Sequence, residues 1–202
     1  IIISYNNNKW CNMKNEFVIF TGPMFGGKTT RLLSAIERYR LKQRKVFTFK
    51  PLRDTRYDPE GQSIVTHRGY EINSVPIVAA EEVYLHLEKR QASSGVIALD
   101  EAFMVEGAAD VLIDLYKTGF TILISSLQLS SDLKPFEEVS KMLPWATRIE
   151  VCPAVCTVCG DDAYYTYKKD GNFTGEIEVG GIDKYEPRCS IHHSHDMKAL
   201  GA

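Results

Sequence analysis

Residues 22–29, Gly-Pro-Met-Phe-Gly-Gly-Lys-Thr, constrain this chain more than any other stretch. They fit G-x-x-x-x-G-K-[ST], a loop that cradles phosphates between a buried strand and a helix. The flanks agree: residues 17–20 are an apolar run, and helical periodicity begins at Lys28. Gly22 and Gly27 permit positive φ, which lets backbone N–H groups converge on phosphate oxygens. Lys28 can reach the outer phosphates, and the Thr29 hydroxyl can ligate Mg²⁺. A helix opening near Lys28 turns its positive end toward the same phosphates. Gly22, Pro23, Met24, Phe25, Gly26, Gly27, Lys28 and Thr29 are therefore read as nucleotide-binding residues.

Such a loop needs a parallel sheet behind it, and the chain supplies the pieces. Apolar strands are expected at 17–21, 45–49, 75–78, 96–99, 120–124 and 147–151, with Pro51 ending the second. Helical periodicity is expected at 28–42, 79–90, 107–117 and 135–143. Leu32, Leu33, Ile36 and Tyr39 face the core from the first helix, and Val83, Leu85 and Leu87 are available on the second. Residues 51–72 read as a polar loop or weak hairpin. Alternation of strand and helix predicts an α/β fold of the phosphate-loop NTPase kind, with helices on both faces of a parallel sheet. The loop then lies at the carboxyl end of its strand, where ligands of open α/β sheets bind.

After Cys152 the texture becomes rich in Gly, Tyr and charge. A boundary is placed near Pro153, giving a nucleotide-binding domain over 13–152 and a small zinc-binding and lid domain over 153–202. Residues 1–12 read as an extension ahead of a natural start at Met13. Residues 164–167 and 176–179 are expected to pair as a small sheet.

Four of the five cysteines fall in the last quarter. An odd count without a secretory signal favours metal binding in a reducing compartment, the cytoplasm, over a disulfide framework. Cys156-x₂-Cys159 and Cys189-x₂-His192 form two close pairs suited to tetrahedral, structural Zn²⁺. His193 and His195 compete with His192 for the fourth place, which spacing gives to His192. Cys152 is expected to be buried on the last strand. A net charge of −2 and no basic stripe argue against nucleic acid, and no apolar run approaches a membrane span.

Asp100 closes the apolar strand 96–99, the place of an acid that holds Mg²⁺ directly or through water. Glu101 follows it and can face a substrate hydroxyl, accept its proton or orient it. Arg56, beyond the second strand, can stabilise charge on a transferring phosphoryl group. The loop 171–185, with four glycines and a metal-stapled base, is a candidate lasso-like lid whose backbone can read a base edge.

Taken together, GPMFGGKTT (22–30), KPLRDTRY (50–57), ALDEAF (98–103), LKPF (133–136), AVCTVC (154–159), AYYT (163–166) and EVGGIDKYEPRCSIH (178–192) resemble the type II, zinc-containing thymidine kinases. They run in family order and cover nearly the whole chain from Met13. The resemblance implies transfer of the γ-phosphate of ATP to the 5′-hydroxyl of thymidine. It implies that the loop holds the donor phosphates with help from Asp54 and Arg56, that Asp100 organises Mg²⁺, and that Glu101 is the proton acceptor. Glu176, Ile177, Glu178, Val179 and Gly180 would lie along the base. Tyr185 would bond the nucleoside, Thr166 would lie near the thymine methyl, and Met24 would line the pocket. Cys156, Cys159, Cys189 and His192 would bind zinc. A homotetramer is also implied.

Three positions depart from the family pattern. Phe103 and Met104 stand where it has Gln-Phe, and Ser131 aligns with an aromatic that helps to hold the base. Ser131 cannot stack, so an altered preference among pyrimidine deoxynucleosides is an alternative to thymidine. An ATP-dependent nucleic-acid-binding protein with a zinc ribbon is a rival of a different class, opposed by the charge balance.

Overall fold

The computed structural model describes residues 15–56, 62–66, 69–169 and 180–193. Strand β1 (Phe17–Thr21) runs into the glycine-rich loop and helix α1 (Lys28–Leu41). Then come β2 (Val46–Pro51), a hairpin of β3 (Ser63–Val65) and β4 (Glu71–Asn73), and β5 (Val75–Ile77). Helix α2 (Glu82–Lys89), β6 (Val96–Leu99), α3 (Ala108–Lys117), β7 (Thr121–Ser126), α4 (Glu137–Met142) and β8 (Arg148–Val151) complete the larger part.

The six main strands form one parallel sheet in the order β5-β2-β6-β7-β1-β8. Successive side chains leave a strand on opposite faces, and both faces here are buried. Phe17, Ile19, Ile97, Leu99, Ile122 and Ile124 pack with Val83, Leu87, Leu112 and Leu115 from α2 and α3. Val18, Phe20, Val96, Ala98 and Leu123 pack with Leu32, Leu33, Ile36 and Tyr39 from α1. Such two-sided burial is why the strands read as unbroken apolar runs.

The predicted elements are present, with shifted ends and informative exceptions. Pro51 ends β2 as expected, and does so as the strand's own last residue, opposite Ile77. On the other side β6 has already ended, since Leu99 pairs with Phe49, so the missing N–H breaks no ladder there. Helix α2 starts at Glu82, whose carboxylate accepts the N–H groups of Val78 (2.8 Å) and Ala79 (3.0 Å). Val83 and Leu87, four apart, share its buried face, whereas Leu85 points to solvent. The hairpin β3–β4 buries Ile64 and Ile72 against the α1 side of the sheet.

The C-terminal region is built from short pieces: β9 (Ala154–Val155) against β10 (Asp162–Ala163), β11 (Tyr165–Lys168) against β12 (Tyr185–Arg188), and α5 (Ser190–His193). The partner of β11 is thus β12. The expected partner, 176–179, lies outside the described residues, as do residues 1–14 and His195. Among the described residues no helix is long and apolar enough to cross a membrane.

Candidate active site

The glycine-rich loop takes its shape from two close approaches. Gly22 (φ 134°) and Gly27 (φ 77°) occupy the region that favours glycine, as expected, and Phe25 is held at φ 66° between them. Gly26 has a different reason. A Cβ there would stand 2.2 Å from the Cys152 carbonyl oxygen, and one on Gly22 would stand 2.3 Å from it. The loop rests on the backbone just past β8, where the Cys152 N–H also donates to the Thr21 carbonyl at 2.7 Å. Cys152 is buried as expected, one residue beyond the strand.

Lys28, at the start of α1, is buried and donates from Nζ to the Pro23 carbonyl at 2.6 Å. Burial lowers its pKa, and the nearby Glu101 and Asp100 work the other way. Thr29 Oγ1 lies 3.2 and 3.3 Å from the two oxygens of Asp100, to which it donates. Ser125, fully buried on β7, donates to Asp100 Oδ1 as well. Burial first, and then Glu101, push the Asp100 carboxyl up to about 7. A buried acid beside a threonine hydroxyl and a lysine, and so raised, is a donor set that a divalent cation would satisfy.

Glu101 follows β6 in left-handed backbone conformation (φ 48°, ψ 47°), a sparsely used region for a non-glycine residue. Its carboxylate is buried. Oε1 accepts a hydrogen bond from the Arg56 guanidinium at 2.5 Å, while Oε2 meets no partner among the described residues. Arg56 in turn donates to both Asp54 oxygens, at 2.6 and 2.8 Å. Burial alone would raise the Asp54 carboxyl, but its bonds to Arg56 overcome that and hold it below the ordinary carboxylate range. The same two acids raise Arg56 against its own desolvation. Met24, Lys28, Thr29, Asp54, Arg56, Asp100 and Glu101 line one cleft, with β3 residues 63–65 along its rim.

Beside this cleft lies an apolar cluster of Met24, Phe103, Met104, Leu127, Val139 and Tyr185, with Phe25 and Phe136 packed against it. The Phe103 and Phe136 rings meet at 4.5 Å between centroids. Ser131 sits on the 127–136 loop, half-buried and outside the cluster. Thr166 is buried on β11, and its hydroxyl accepts the Met24 N–H at 3.0 Å. Gly180 packs so closely that a Cβ would meet Lys184 Cδ at 2.7 Å and the Tyr185 ring at 3.1 Å. Glu176, Ile177, Glu178 and Val179 lie outside the described residues. Sequence reasoning did not find Ser125, Ser126 or the floor under Gly26. A buried serine at a strand end carries no local signature, and a backbone contact carries none at all.

The ligand atoms of Cys156, Cys159, Cys189 and His192 all lie within 4.8 Å of one another. The Cys159–Cys189 sulfurs are 3.8 Å apart, as are the Cys156 sulfur and His192 Nδ1. Two sulfurs bound to one zinc at about 2.3 Å in tetrahedral array would be about 3.8 Å apart. Burial opposes ionisation of Cys156, yet backbone N–H groups of Cys189, Cys159 and Val158 bring its thiol down to about 6. These four residues could hold zinc. His193, the competitor, turns away to the Thr166 carbonyl.

The match to known proteins is broad. The thymidine kinase family model covers residues 15–193. A thymidine kinase of Pyrobaculum aerophilum is 32% identical over 182 residues, spanning 87% of this chain and 97% of that protein. One from Mycoplasma genitalium is 32% identical over 180 residues, spanning 87% of this chain and 82% of its own length. With cleft, apolar cluster and cysteine cluster matched in one stretch, the chain belongs to the thymidine kinase family.

Proposed function

We propose that this protein transfers the γ-phosphate of ATP to the 5′-hydroxyl of thymidine, giving thymidine 5′-monophosphate and ADP. The observation that carries the reading is the placement of the Glu101 carboxylate in the same cleft as Lys28 and Thr29, with one oxygen held by Arg56 and the other without a partner. Backbone N–H groups of the loop and the α1 terminus bind the donor phosphates, and Lys28 neutralises their charge. Thr29 and Asp100 would hold Mg²⁺, which supplies charge neutralisation at the outer phosphates.

Arg56, fixed by Asp54, orients Glu101 and faces the charge that builds on the phosphoryl group. The free Glu101 oxygen accepts the proton of the sugar hydroxyl as its oxygen forms the new P–O bond and ADP leaves. The base would lie beside the apolar cluster, against Tyr185 and Thr166. The resemblance assigns backbone contacts along that base to residues 176–180, of which Gly180 alone is among the described residues. Cys156, Cys159, Cys189 and His192 would hold a structural Zn²⁺, whose contribution is to tie α5 to the turn at 156–159.

A second reading concerns the acceptor. Phe103 belongs to the apolar cluster and Phe136 packs against it, whereas Ser131 brings no ring, so a related pyrimidine deoxynucleoside is the alternative. The homotetramer rests on the resemblance and the cytoplasmic location on the cysteine pattern. The free thiols of Cys152, Cys156, Cys159 and Cys189 suit a reducing compartment.

The test is a panel of thymidine, deoxyuridine and deoxycytidine with ATP and Mg²⁺, scored for 5′-monophosphate. Preference for thymidine is expected, and preference for deoxycytidine would favour the second reading. Glu101→Gln should keep ATP binding and lose at least about 10²-fold in kcat. Full transfer by that variant would remove Glu101 from its role.

A further inference from the structure

A short hydrogen-bonded path joins the cysteine cluster to the phosphate loop. His192 belongs to the cluster, and His193 ends the same helix, α5. The His193 ring is buried, edge-on to Tyr165 and Tyr167 with centroids 5.6 and 5.8 Å away. Its Nε2 lies 3.0 Å from the Thr166 carbonyl oxygen. A carbonyl has no proton to give, so Nε2 carries the proton and donates. Nδ1 keeps its lone pair and meets no partner among the described residues. The hydroxyl of the same Thr166 accepts the Met24 N–H at 3.0 Å, across 142 positions of sequence.

Met24 is the third residue of the phosphate loop and also belongs to the apolar cluster. With its N–H committed to Thr166, its contribution to the loop is position rather than a bond to phosphate. Thr166 is therefore a tie between the two halves of the site, and His193 sets the height of the strand that carries it. We propose that His193 and Thr166 are positioning residues, which pass the metal cluster's hold on α5 to Met24. A filled cluster then fixes the phosphate loop where donor and acceptor must meet. Only the kinetic readout of this inference rests on the kinase reading; order in the loop is measured without it.

Two substitutions at one position separate the hydrogen bond from the ring. His193→Phe keeps the packing between the tyrosines and removes the donor, whereas His193→Gln keeps a donor at similar reach and removes the ring. Exchange of the Met24 amide is followed by mass spectrometry on full-length, metal-loaded protein, alongside metal content and thymidine kinetics. His193→Phe is expected to retain its metal, to exchange Met24 about tenfold faster, as loss of one buried hydrogen bond allows, and to raise KM for thymidine several-fold with kcat within about twofold. His193→Gln should stay near the parent in all three.

Unchanged Met24 exchange in His193→Phe overturns the proposal. So does equal loss in both variants, which would leave ring packing as the only role. Should His193→Phe shed its metal, Thr166→Val decides. It removes the hydroxyl and leaves α5 and its ring unchanged, and Met24 must then exchange faster with the metal still bound. If the parent fails to phosphorylate thymidine, the kinase reading falls, while Met24 exchange still tests the tie.

Discussion

Residues 17–152 and 153–193 of this chain are held together by different physics. The first region buries both faces of a parallel sheet under helices, with Phe17, Ile19, Phe49, Leu32 and Leu33 at essentially zero exposure. Among its described residues the second gathers one small apolar cluster of its own, Ala154, Cys156, Ala163 and Cys189, with Phe25 of the phosphate loop alongside. Four small side chains cannot offset the ordering of the segments from β9 to α5 by apolar burial. What this region can do is present four ligand atoms, from Cys156, Cys159, Cys189 and His192, to one ion. The first region is therefore a core that carries a site, and the second is a site that takes the place of a core.

The sharpest way to break this comparison is to remove the metal. Structural zinc contributes on the order of 10 kcal/mol of folding free energy in small modules. On chelation, amides of β9 to α5 should lose protection while β1, β6 and β7 keep theirs. Equal loss in both regions would mean that the sheet depends on the metal too. The converse test is Phe49→Ala, which empties a fully buried site in the sheet. It should cost about 3–5 kcal/mol, lower Tm by about 10 °C, and leave metal content of the folded protein unchanged.

The sheet region also carries a local cost at its site. In the folded protein burial and the neighbouring Glu101 push the Asp100 carboxyl up to about 7, well above the ordinary aspartate range of about 4. The folded state thus holds that proton more tightly, so stability falls as pH rises through the window from about 4 to about 7, and the cost is fully present above it. Asp100→Asn removes the charge. At pH 8, without Mg²⁺ or nucleotide, the variant should melt a few degrees higher than the parent, with the gain gone by pH 4. Its transfer rate should fall by at least about 10²-fold. A lower Tm at pH 8 would show that Asp100 is not destabilising in the metal-free protein.

The two regions were not equally legible in the sequence. Strands at 17–21 and 96–99 could be read because burial on two faces writes an unbroken apolar run, and the loop at 22–29 because phosphate chemistry fixes four residue types at fixed spacing. The cysteine pairs were legible for the same reason: coordination demands particular atoms. Hydrogen bonds between distant segments left no trace. Arg56 looks in sequence like any solvated loop arginine, yet it lies largely buried between Asp54 and Glu101. Gly26 reads as phosphate chemistry alone, although the Cys152 carbonyl forbids a side chain there. Ser131 could be aligned with a missing aromatic, but only packing reveals that the Phe103 and Phe136 rings meet, tilted by 40°, beside the cleft.

The smallest effect tests whether the rigid region also holds the strained turn of the site. Ser126 ends β7, fully buried, and its hydroxyl accepts the Phe103 N–H at 3.1 Å. Its neighbour Ser125 grips Asp100, so the two serines hold both ends of the turn in which Glu101 adopts φ 48°. That conformation costs about 1–3 kcal/mol and persists only where its surroundings impose it. Ser126→Ala leaves a buried N–H without an acceptor, which costs about 1–3 kcal/mol, and lets the turn relax. Stability should drop by that amount. Because the change lies on the Glu101 side of the cleft, kcat should fall by roughly three- to tenfold while KM for ATP stays put. An equal rise in KM for ATP would mean that the phosphate loop depends on Ser126 as well, through its place in the sheet opposite Thr21.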